Sequence, residues 1–275
     1  MARDDDIAEH YGGEGLVAAI TAGLAKVAKA PDNVTFEDLA AADEFHIGGR
    51  AATAALCERA QITADDHVLD LGSGIGGPAR FIAATRSCRV TGVDLTPSFV
   101  EAARTFTEWT GLEHQVDFEV GSILALPFED DSFDCAVQLH VGMNIEDKAT
   151  LAAEVARVLR PGGRYVIYDV MRRSDGNLRY PVPWATDSSH SFIATPEQYR
   201  EALAGAGFVG EQLDLRDAAL SFFAAQAEAA AKAPGPPALG LHFVLGPDMA
   251  TKLGNLRAAI VAGFVGPVEF NARLD

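Results

Sequence analysis

The sequence predicts an α/β fold in which a mostly parallel β-sheet is covered by helices on both faces. Short apolar runs alternate with amphipathic helical stretches from about residue 66 to residue 170, and this alternation is the pattern of repeated βα units. A glycine-rich loop, Gly72-Ser-Gly-Ile-Gly-Gly77, directly follows the first apolar run. A glycine-rich turn from a buried strand into a helix is typical of sheets that bind a cofactor.

The composition limits the classes of partner. The chain has 275 residues, 48% of them hydrophobic, and a formal charge of −17. Because phosphate binding needs a basic surface, this charge disfavours nucleic acids and anionic membranes. No apolar run approaches the roughly 20 residues that a bilayer span needs. The acidic first residues lack the apolar segment of a signal peptide, so we expect a cytoplasmic protein.

The cysteines and the basic residues add two weaker expectations. Cys57, Cys88 and Cys135 are odd in number and lie far apart, which favours neither a disulfide framework nor a zinc site. Seventeen of the 22 basic residues are Arg, as in proteins from GC-rich bacterial genomes. The sequence is also compatible with a homodimer.

The first 62 residues are predicted to form a helical cap. Residues 5–30 carry apolar side chains at helical spacing until Pro31 interrupts the pattern. Phe45 to Ala60 form a second predicted helix, with a turn at Gly48-Gly49.

Residues 63–171 are predicted to form the core of the α/β domain. The apolar runs predicted as strands are 67–71, 89–93, 116–120, 134–139 and 164–170. The helices predicted between them are 77–86, 97–110 and 146–159.

The alternation stops after this core. Residues 172–195 are rich in Pro, Ser and Asn and are too long for an ordinary loop, so they are predicted as an irregular cap segment. Residues 196–275 are predicted to complete the core, with a helical lid inserted at about 217–262. The elements predicted there are a helix at 196–206, a strand at 208–215, helices at 217–232 and 247–262, and a strand over 264–270.

The glycine-rich loop alone is compatible with more than one cofactor. Gly72, Gly74 and Gly77 satisfy the G-x-G-x-x-G pattern of NAD-binding proteins, in which a helix N-terminus holds the pyrophosphate. Asp94 ends the second predicted strand and suits the ribose hydroxyl groups of any adenosine cofactor. Asp70 is placed to accept a hydrogen bond from an ammonium group. An NAD(P)-binding oxidoreductase therefore stays open at this point.

Two further motifs favour one cofactor. The segment from Gly121 to Asp134 contains Leu-Pro-Phe, acidic residues and Ser-Phe-Asp, and Leu159-Arg-Pro-Gly-Gly163 joins a helix to the next strand. With the glycine loop and Asp94, these motifs make the chain resemble the class I S-adenosylmethionine (SAM)-dependent methyltransferases. The resemblance is greatest to the small-molecule group of quinone-biosynthesis, tocopherol and sarcosine/dimethylglycine methyltransferases, and it is specific over residues 45–170.

The resemblance implies a Rossmann-like seven-stranded sheet of order 3-2-1-4-5-7-6 with an antiparallel last strand. SAM would lie across the carboxyl ends of strands 1, 2 and 4. Ser122 departs from the family pattern, because many relatives carry an aspartate there to accept from the adenine amine. The cofactor contacts that the resemblance implies are Arg50, Asp70, Gly72, Ser73, Gly74, Gly76, Asp94, Leu95, Ser122, Ile123, Gln138 and Asn144.

The implied reaction is an in-line displacement at the methyl carbon of SAM. Such a reaction needs alignment of donor and acceptor, and it needs a general base only where the acceptor is protonated. The candidate catalytic residues are His140, Tyr11 and His46. The candidate acceptor contacts are His140, Tyr180, Trp184 and His190, whereas His10, His67, His114 and His242 are predicted to have no role.

The acceptor itself stays open. We expect methylation of nitrogen or oxygen in a small molecule, with a carbon centre as a further possibility. A protein or nucleic-acid methyltransferase is an alternative, although the chain has no basic tract to support it. No His, Asp and Glu cluster has metal-ligand spacing, so no metal is expected.

Overall fold

A computed structural model describes residues 15–232, 235 and 237–275. Its centre is a seven-stranded sheet of order β3-β2-β1-β4-β5-β7-β6, which confirms the predicted fold. The strands are β1 (His67–Leu71), β2 (Arg89–Asp94), β3 (Val116–Val120), β4 (Phe133–Leu139), β5 (Leu159–Arg172), β6 (Phe208–Asp214) and β7 (Val265–Leu274).

The strand order creates a crevice at one edge of the sheet. β1 pairs in parallel with β2 on one side and with β4 on the other, whereas β7 runs antiparallel to β5 and β6. The order of the strands therefore reverses between β1 and β4. In open α/β sheets, ligands bind outside the carboxyl ends of the strands at such a reversal.

Ten α-helices lie in the described part of the chain. They are α1 (Leu16–Lys26), α2 (Phe36–Asp43), α3 (Gly49–Arg59), α4 (Gly77–Arg86), α5 (Pro97–Trp109), α6 (Lys148–Val158), α7 (Pro196–Gly205), α8 (Arg216–Lys232), α9 (His242–Leu245) and α10 (Met249–Val261). None of these helices is both long and apolar enough to cross a membrane. The bounds of α4 to α8 and of α10 agree with the predicted helices to within two residues.

The helices before the sheet differ more from the prediction. The predicted helix over 5–30 is described only from Leu16, and residues 5–14 lie outside the described residues. The second predicted helix begins at Gly49 rather than at Phe45, because Gly48 precedes it with a φ of +88°. A short helix, α2, was not predicted at all.

Helix α2 has a clear local cause. The Thr35 hydroxyl oxygen accepts from the Asp38 backbone N–H at 3.4 Å, and the Asp38 carboxylate accepts from the Thr35 N–H at 2.9 Å. This reciprocal pair is a capping box, here with Asp in place of the usual Glu. It fixes where α2 begins, and the helix ends at Asp43, directly before Glu44.

The apolar core lies on both faces of the sheet. Successive strand residues point to opposite faces, so Val68 and Val137 pack beneath one set of helices and Leu69 and Ala136 beneath the other. A separate apolar cluster joins α8 and α10 to the segment before α7; it contains Trp184, Phe223, Leu256 and Ile260.

A fully buried ion pair attaches α2 to α4. Arg80 on α4 has no exposed surface, and its Nη2 donates to Asp43 Oδ2 and to the Ile75 carbonyl, each at 2.8 Å. Its Nη1 donates to the Ala103 carbonyl and to the Thr107 hydroxyl at 3.2 Å. One guanidinium thus ties α2, α4 and α5 together.

We expect Arg80→Met to lower the free energy of unfolding by about 3–5 kcal/mol, because it leaves the Asp43 carboxylate buried without its counter-ion. Urea unfolding followed by circular dichroism measures the change. Arg200→Ala is the control, since that Arg forms a largely exposed pair with Glu197 and its loss should shift the midpoint little. Equal midpoint shifts in the two variants would contradict the role given to Arg80.

Candidate cofactor and acceptor sites

The glycine loop turns sharply back over β2. The backbone N–H of Gly72 donates to the Val93 carbonyl at 2.8 Å. Gly72 and Gly74 have φ values of +67° and +54°, in the left-handed region that favours glycine. A Cβ would lie 2.6 Å from Val141 at Gly72 and 2.8 Å from Phe45 at Gly74. Glycine is therefore required by the turn and by the side chains packed against it.

A cavity opens between this loop and the carboxyl ends of β1, β2 and β4. Asp43, Asp70 and Asp94 line it, and its described lining contains no Lys or Arg. Asp43 Oδ1, Asp70 Oδ2 and Ser73 Oγ are buried there without a hydrogen-bond partner. Such atoms need a ligand that brings cationic and hydroxyl groups. An acidic lining does not fit the pyrophosphate of a dinucleotide.

Burial acts strongly on the acids of this cavity. It raises the pKa of Asp70 to about 7, and the charges of Glu44 and Asp94 add to the effect. Burial also raises the pKa of Asp94, although the N–H groups of Gly74 and Thr96 donate to its two oxygens at 2.8 and 2.9 Å. A cation bound beside Asp70 favours its ionised form, so a cationic ligand and this carboxylate stabilise each other.

A second, larger cavity of about 610 Å³ adjoins the first. Most of its wall is apolar. The lining comes from residues between 40 and 50, from α8, α9 and α10, from residues 237–241 and from the segment before α7. The apolar side chains include Met143, Trp184, Phe222, Phe223, Leu245, Met249, Leu253 and Leu256. Both cavities are lined by Phe45, His46 and His140, so these three residues mark the boundary between them.

Of the two histidines at the boundary, His46 is buried and His140 is half-buried. Their removal from water keeps both rings neutral near pH 7. It lowers the pKa of His46 to about 4, and the ring nitrogen Nε2 lies 3.1 Å from the Gly49 carbonyl and 3.1 Å from Thr53 Oγ1. Burial also holds the pKa of His140 well below its ordinary value. His140 has a φ of +57° and a buried Nε2 without a partner, and its backbone N–H donates to the Tyr168 carbonyl at 2.7 Å.

Comparison with known proteins identifies the family. A family profile described as a methyltransferase domain matches residues 69–167. The O-methyltransferase resE of Aspergillus sclerotiorum is 30% identical over 188 residues, which are 66% of this chain and 70% of that protein. The chain belongs to the class I SAM-dependent methyltransferases. Its cofactor is accordingly SAM, and the NAD-binding alternative is set aside.

Other similarities extend this result. The methyltransferase GfsG of Streptomyces halstedii is 35% identical over 145 residues, so the match spans about half the length of that protein. The geranyl diphosphate C-methyltransferase of Streptomyces coelicolor A3(2) superposes with a TM-score of 0.70 at 20% identity, covering 100% of this chain and 98% of that one. That similarity shows a common fold. The resemblance to small-molecule methyltransferases seen in the motifs is confirmed.

The structure brings most of the predicted cofactor residues of this methyltransferase to the smaller cavity. Leu95, Ser122 and Ile123 line its wall together with Asn144, which lies in a 3₁₀ helix at Gly142–Asn144. The other predicted residues that line it are Asp70, Gly72, Ser73, Gly74 and Asp94. Their assignment as cofactor contacts stays a prediction.

The prediction for Gln138 needs correction, since its side chain does not face the cavity. It is fully buried on the same face of the sheet as Ala136, whereas the next residue, Leu139, lines the cavity. The Gln138 amide donates to Asp169, and its Oε1 accepts from the Tyr165 hydroxyl at 2.5 Å. Gln138 therefore belongs to a buried polar network rather than to the cofactor site.

The predictions for Arg50 and Gly76 are corrected for similar reasons. The Arg50 side chain donates to Glu44 Oε1 at 3.2 Å and to the Phe36 carbonyl at 2.9 Å, and Arg50 lines only the larger cavity. Gly76 precedes α4 with a φ of +82°, and a Cβ there would lie 2.6 Å from Phe118. Hydrogen bonds hold Arg50 and packing holds Gly76, and neither residue lines the smaller cavity.

Two of the predicted acceptor contacts, His140 and Trp184, line the larger cavity, and the other two do not. Trp184 lines the larger cavity, and its Nε1 donates to Ser191 Oγ at 2.9 Å. Tyr180 packs against the apolar cluster of α8 and α10 and does not line either cavity. His190 lies in an exposed 3₁₀ helix outside both cavities, so the predictions for Tyr180 and His190 are corrected. Tyr11 lies outside the described residues.

Several residues of the site were missed from the sequence. Asp43, Glu44 and Phe45 directly precede His46, and the capping box of α2 was the available signal for their placement. Asp169 was missed as well. It accepts from the N–H groups of Val141 and Gly142 at 2.8 and 3.2 Å and from the Tyr199 hydroxyl at 2.9 Å, and nothing in the local pattern indicated this.

Cofactor affinity should depend on pH through Asp70. Its pKa is raised to about 7 in the free protein, so below pH 7 a bound ammonium group must first displace a proton from it. We expect the Kd of S-adenosylhomocysteine (SAH) to rise about tenfold between pH 7.5 and pH 6, as one pKa unit corresponds to about 1.4 kcal/mol. Titration calorimetry measures this change.

The control ligand for this experiment is 5′-methylthioadenosine, which keeps the adenosine and the thioether of SAH but has no ammonium group. Its affinity should change much less over the same pH range. Asp70→Asn should weaken SAH at pH 7.5 and flatten its pH dependence. An unaltered pH dependence in Asp70→Asn would refute the placement of the ammonium group beside this residue.

Proposed function

We propose that this methyltransferase transfers the methyl group of SAM to a small, largely apolar molecule held in the larger cavity. The observation that carries the proposal is the common boundary of the two cavities at Phe45, His46 and His140. A donor in one cavity and an acceptor in the other would meet there, which is the requirement of an in-line displacement.

The proposed place of the cofactor follows from the polar atoms of the smaller cavity. Asp94 would hold the ribose hydroxyl groups, and Asp70 Oδ2, buried without a partner, would accept from the ammonium group. Leu95 would pack on the adenine, with Ser122 and Ile123 at its edge. In this arrangement the methionine part of SAM, and hence its sulfur, would lie toward His140.

SAM supplies an electrophilic methyl carbon, so the protein need not supply a nucleophile. The tasks left to this chain are to align the acceptor, to exclude water and to take up a proton where the acceptor carries one. Phe45 and Val141 would hold the glycine loop in place. His46 and His140 are the titratable groups at the boundary and hence the candidate bases.

The character of the acceptor follows from the walls of the larger cavity. A volume of about 610 Å³ lies within the range of roughly 300–1,000 Å³ that is typical of cavities that bind small molecules with a mainly apolar surface. Trp184, Phe222 and Phe223 supply flat apolar surface, while Glu44 and the two histidines lie at the cofactor end. We propose an acceptor with an apolar body whose reactive polar atom lies at one end. The helices α8 to α10 and residues 172–195 would act as its lid, over a core at 63–171 and an N-terminal cap at 1–62.

The wider setting is proposed from the composition. The charge of −17 supports a small-molecule acceptor over nucleic acid. The three cysteines are free and buried, which is compatible with a reducing bacterial cytoplasm. A homodimer would give twice the chain mass of 29.1 kDa in light scattering.

The cofactor assignment predicts a specific binding pattern. SAH should raise the melting temperature, and NADH should not, because the cavity is acidic. Asp94→Ala should weaken SAH at least about tenfold by removing the ribose acceptor, a loss of about 1.4 kcal/mol. Asp117→Ala, on the exposed face of β3, is the control and should leave SAH affinity unchanged. A thermal shift with NADH and none with SAH would overturn the proposal.

The acceptor cavity can be blocked without touching the cofactor. Leu253→Trp would fill part of the larger cavity and should weaken acceptor binding about tenfold or more, with SAH affinity unchanged. The exposed Val261 lies on the same helix, so Val261→Trp is the matched control. Methyl transfer from labelled SAM to a panel of apolar phenols and amines measures the effect on KM. Equal KM values in both variants would place the acceptor elsewhere.

A further inference from the structure

The hydrogen bonds of His46 fix which ring nitrogen carries its proton. Nε2 lies 3.1 Å from the Gly49 carbonyl oxygen, and a carbonyl can only accept, so Nε2 must donate. The Thr53 hydroxyl donates to Glu44 Oε2 at 2.8 Å. Its oxygen therefore presents a lone pair to Nε2, 3.1 Å away. Both contacts select the Nε2–H tautomer, which leaves the lone pair of the ring on Nδ1.

Behind Thr53, the Glu44 carboxylate is held in place. Arg50 Nε donates to Glu44 Oε1 at 3.2 Å, and the Arg50 guanidinium lies 5.1 Å from the ring centres of Phe36 and Phe81. Glu44 is 5% exposed, and its Oε2 is 3.6 Å from His46 Nε2. The Glu44 carboxylate, whose pKa is raised by burial and lowered by Thr53 and Arg50, thus lies next to the protonated side of the imidazole, where its ionised form stabilises an additional positive charge on the ring.

We propose that His46 accepts a proton from the methyl acceptor at Nδ1, that Thr53 and Glu44 are its positioning residues, and that the acceptor is therefore a hydroxyl-bearing apolar molecule. This inference rests on the proposed function. As the new O–CH₃ bond forms, the S–CH₃ bond breaks and its electron pair stays on the sulfur. The O–H electron pair stays on the oxygen, and the proton moves to Nδ1.

The charge balance supports this step. The donor loses its positive sulfonium charge at the same time as His46 becomes an imidazolium, so the number of buried charges does not change. Glu44, 3.6 Å away, is the anion that stabilises the new cation. A neutral hydroxyl group also enters an apolar cavity at a lower desolvation cost than an ammonium group does.

His140 is less suited to this role. Its Nε2 is buried with no partner in the described structure, and the nearby carboxylate of Asp169 is occupied by backbone N–H groups, Gln138 and Tyr199. An imidazolium at His140 would lack a counter-ion. His140 instead lies edge-on to His46, with ring centres 6.0 Å apart, and forms part of the wall.

The titratable and charged groups around His46 come from each element packed against it. Asp43 is the last residue of α2, Glu44 directly follows it, and Arg50 lies at the start of α3. His140 lies beyond β4, and Tyr168 on β5 has its ring centre 6.2 Å away. Asp43 acts to raise the pKa of His46, but burial outweighs it. The ring should therefore be neutral at pH 7.5, with Nδ1 unprotonated.

The first test does not depend on the acceptor. In the full-length protein bound to SAH, ¹⁵N NMR of the imidazole nitrogens should show His46 neutral at pH 7.5 with its proton on Nε2. Thr53→Ser and Thr53→Val should both keep this tautomer, because the Gly49 carbonyl still accepts from Nε2 in either variant. A wild-type Nδ1–H tautomer overturns the inference. Failure of SAH to bind at all would instead contradict the proposed function.

The second test uses two phenols at pH 7.5, namely 2-naphthol, which is protonated, and pentafluorophenol, which is ionised. His46→Gln should lower kcat about 10²–10⁴-fold with 2-naphthol and much less with pentafluorophenol, since the latter needs no base. Thr53→Val and Glu44→Gln should lower kcat with 2-naphthol about tenfold or more. Thr53→Ser, which keeps the hydroxyl group, should retain a kcat close to that of the wild type. Equal losses with both phenols, or transfer only to 2-naphthylamine, would overturn the inference.

Discussion

The buried ion pair between Arg80 and Asp43 is the contact on which the arrangement of the site depends. It is made at the end of α2, so it fixes the position at which the chain enters the next three residues, Glu44, Phe45 and His46. The fit is close, because a Cβ at Gly77 would lie 2.2 Å from the Asp43 carbonyl oxygen. The N-terminal helices and the glycine loop are therefore one packed unit, and the cofactor cavity lies at their junction.

A second buried carboxylate, that of Asp169, fixes the backbone on the other side of the cavity. Its oxygens accept hydrogen bonds from the N–H groups of Val141 and Gly142 and from the Tyr199 hydroxyl. Gly142 has no room for a side chain, since a Cβ would lie 2.1 Å from the Tyr199 oxygen. The loop after β4 is thereby fixed with His140 in a left-handed conformation, a strained state that persists because its surroundings hold it. Two acids buried in different parts of the core thus set the two sides of one boundary.

Much of this architecture could be predicted from the sequence, because hydrophobic period and glycine position act locally. The strands, most of the helices and the acids Asp70 and Asp94 follow from such local patterns. The contacts of Gln138 and Arg50 could not be predicted in this way. Gln138 lies beside strand residues that line the cavity, but strand geometry turns it to the opposite face. Arg50 has the right charge for the cofactor carboxylate, yet Glu44, six residues earlier, takes its guanidinium. Which partner a polar side chain contacts depends on the tertiary structure, and local sequence patterns do not show it.

The acidic lining of the cofactor cavity has a consequence for turnover. Fresh SAM carries a sulfonium charge that the spent cofactor has lost. With SAM bound as proposed, Asp70 and Asp94 would attract that charge, and the attraction would disappear in the same step that makes the product. The described lining offers no Lys or Arg to compensate. A cavity that holds the cofactor in this way would favour exchange of spent for fresh cofactor, because the negative charge that binds the donor does not hold the product equally.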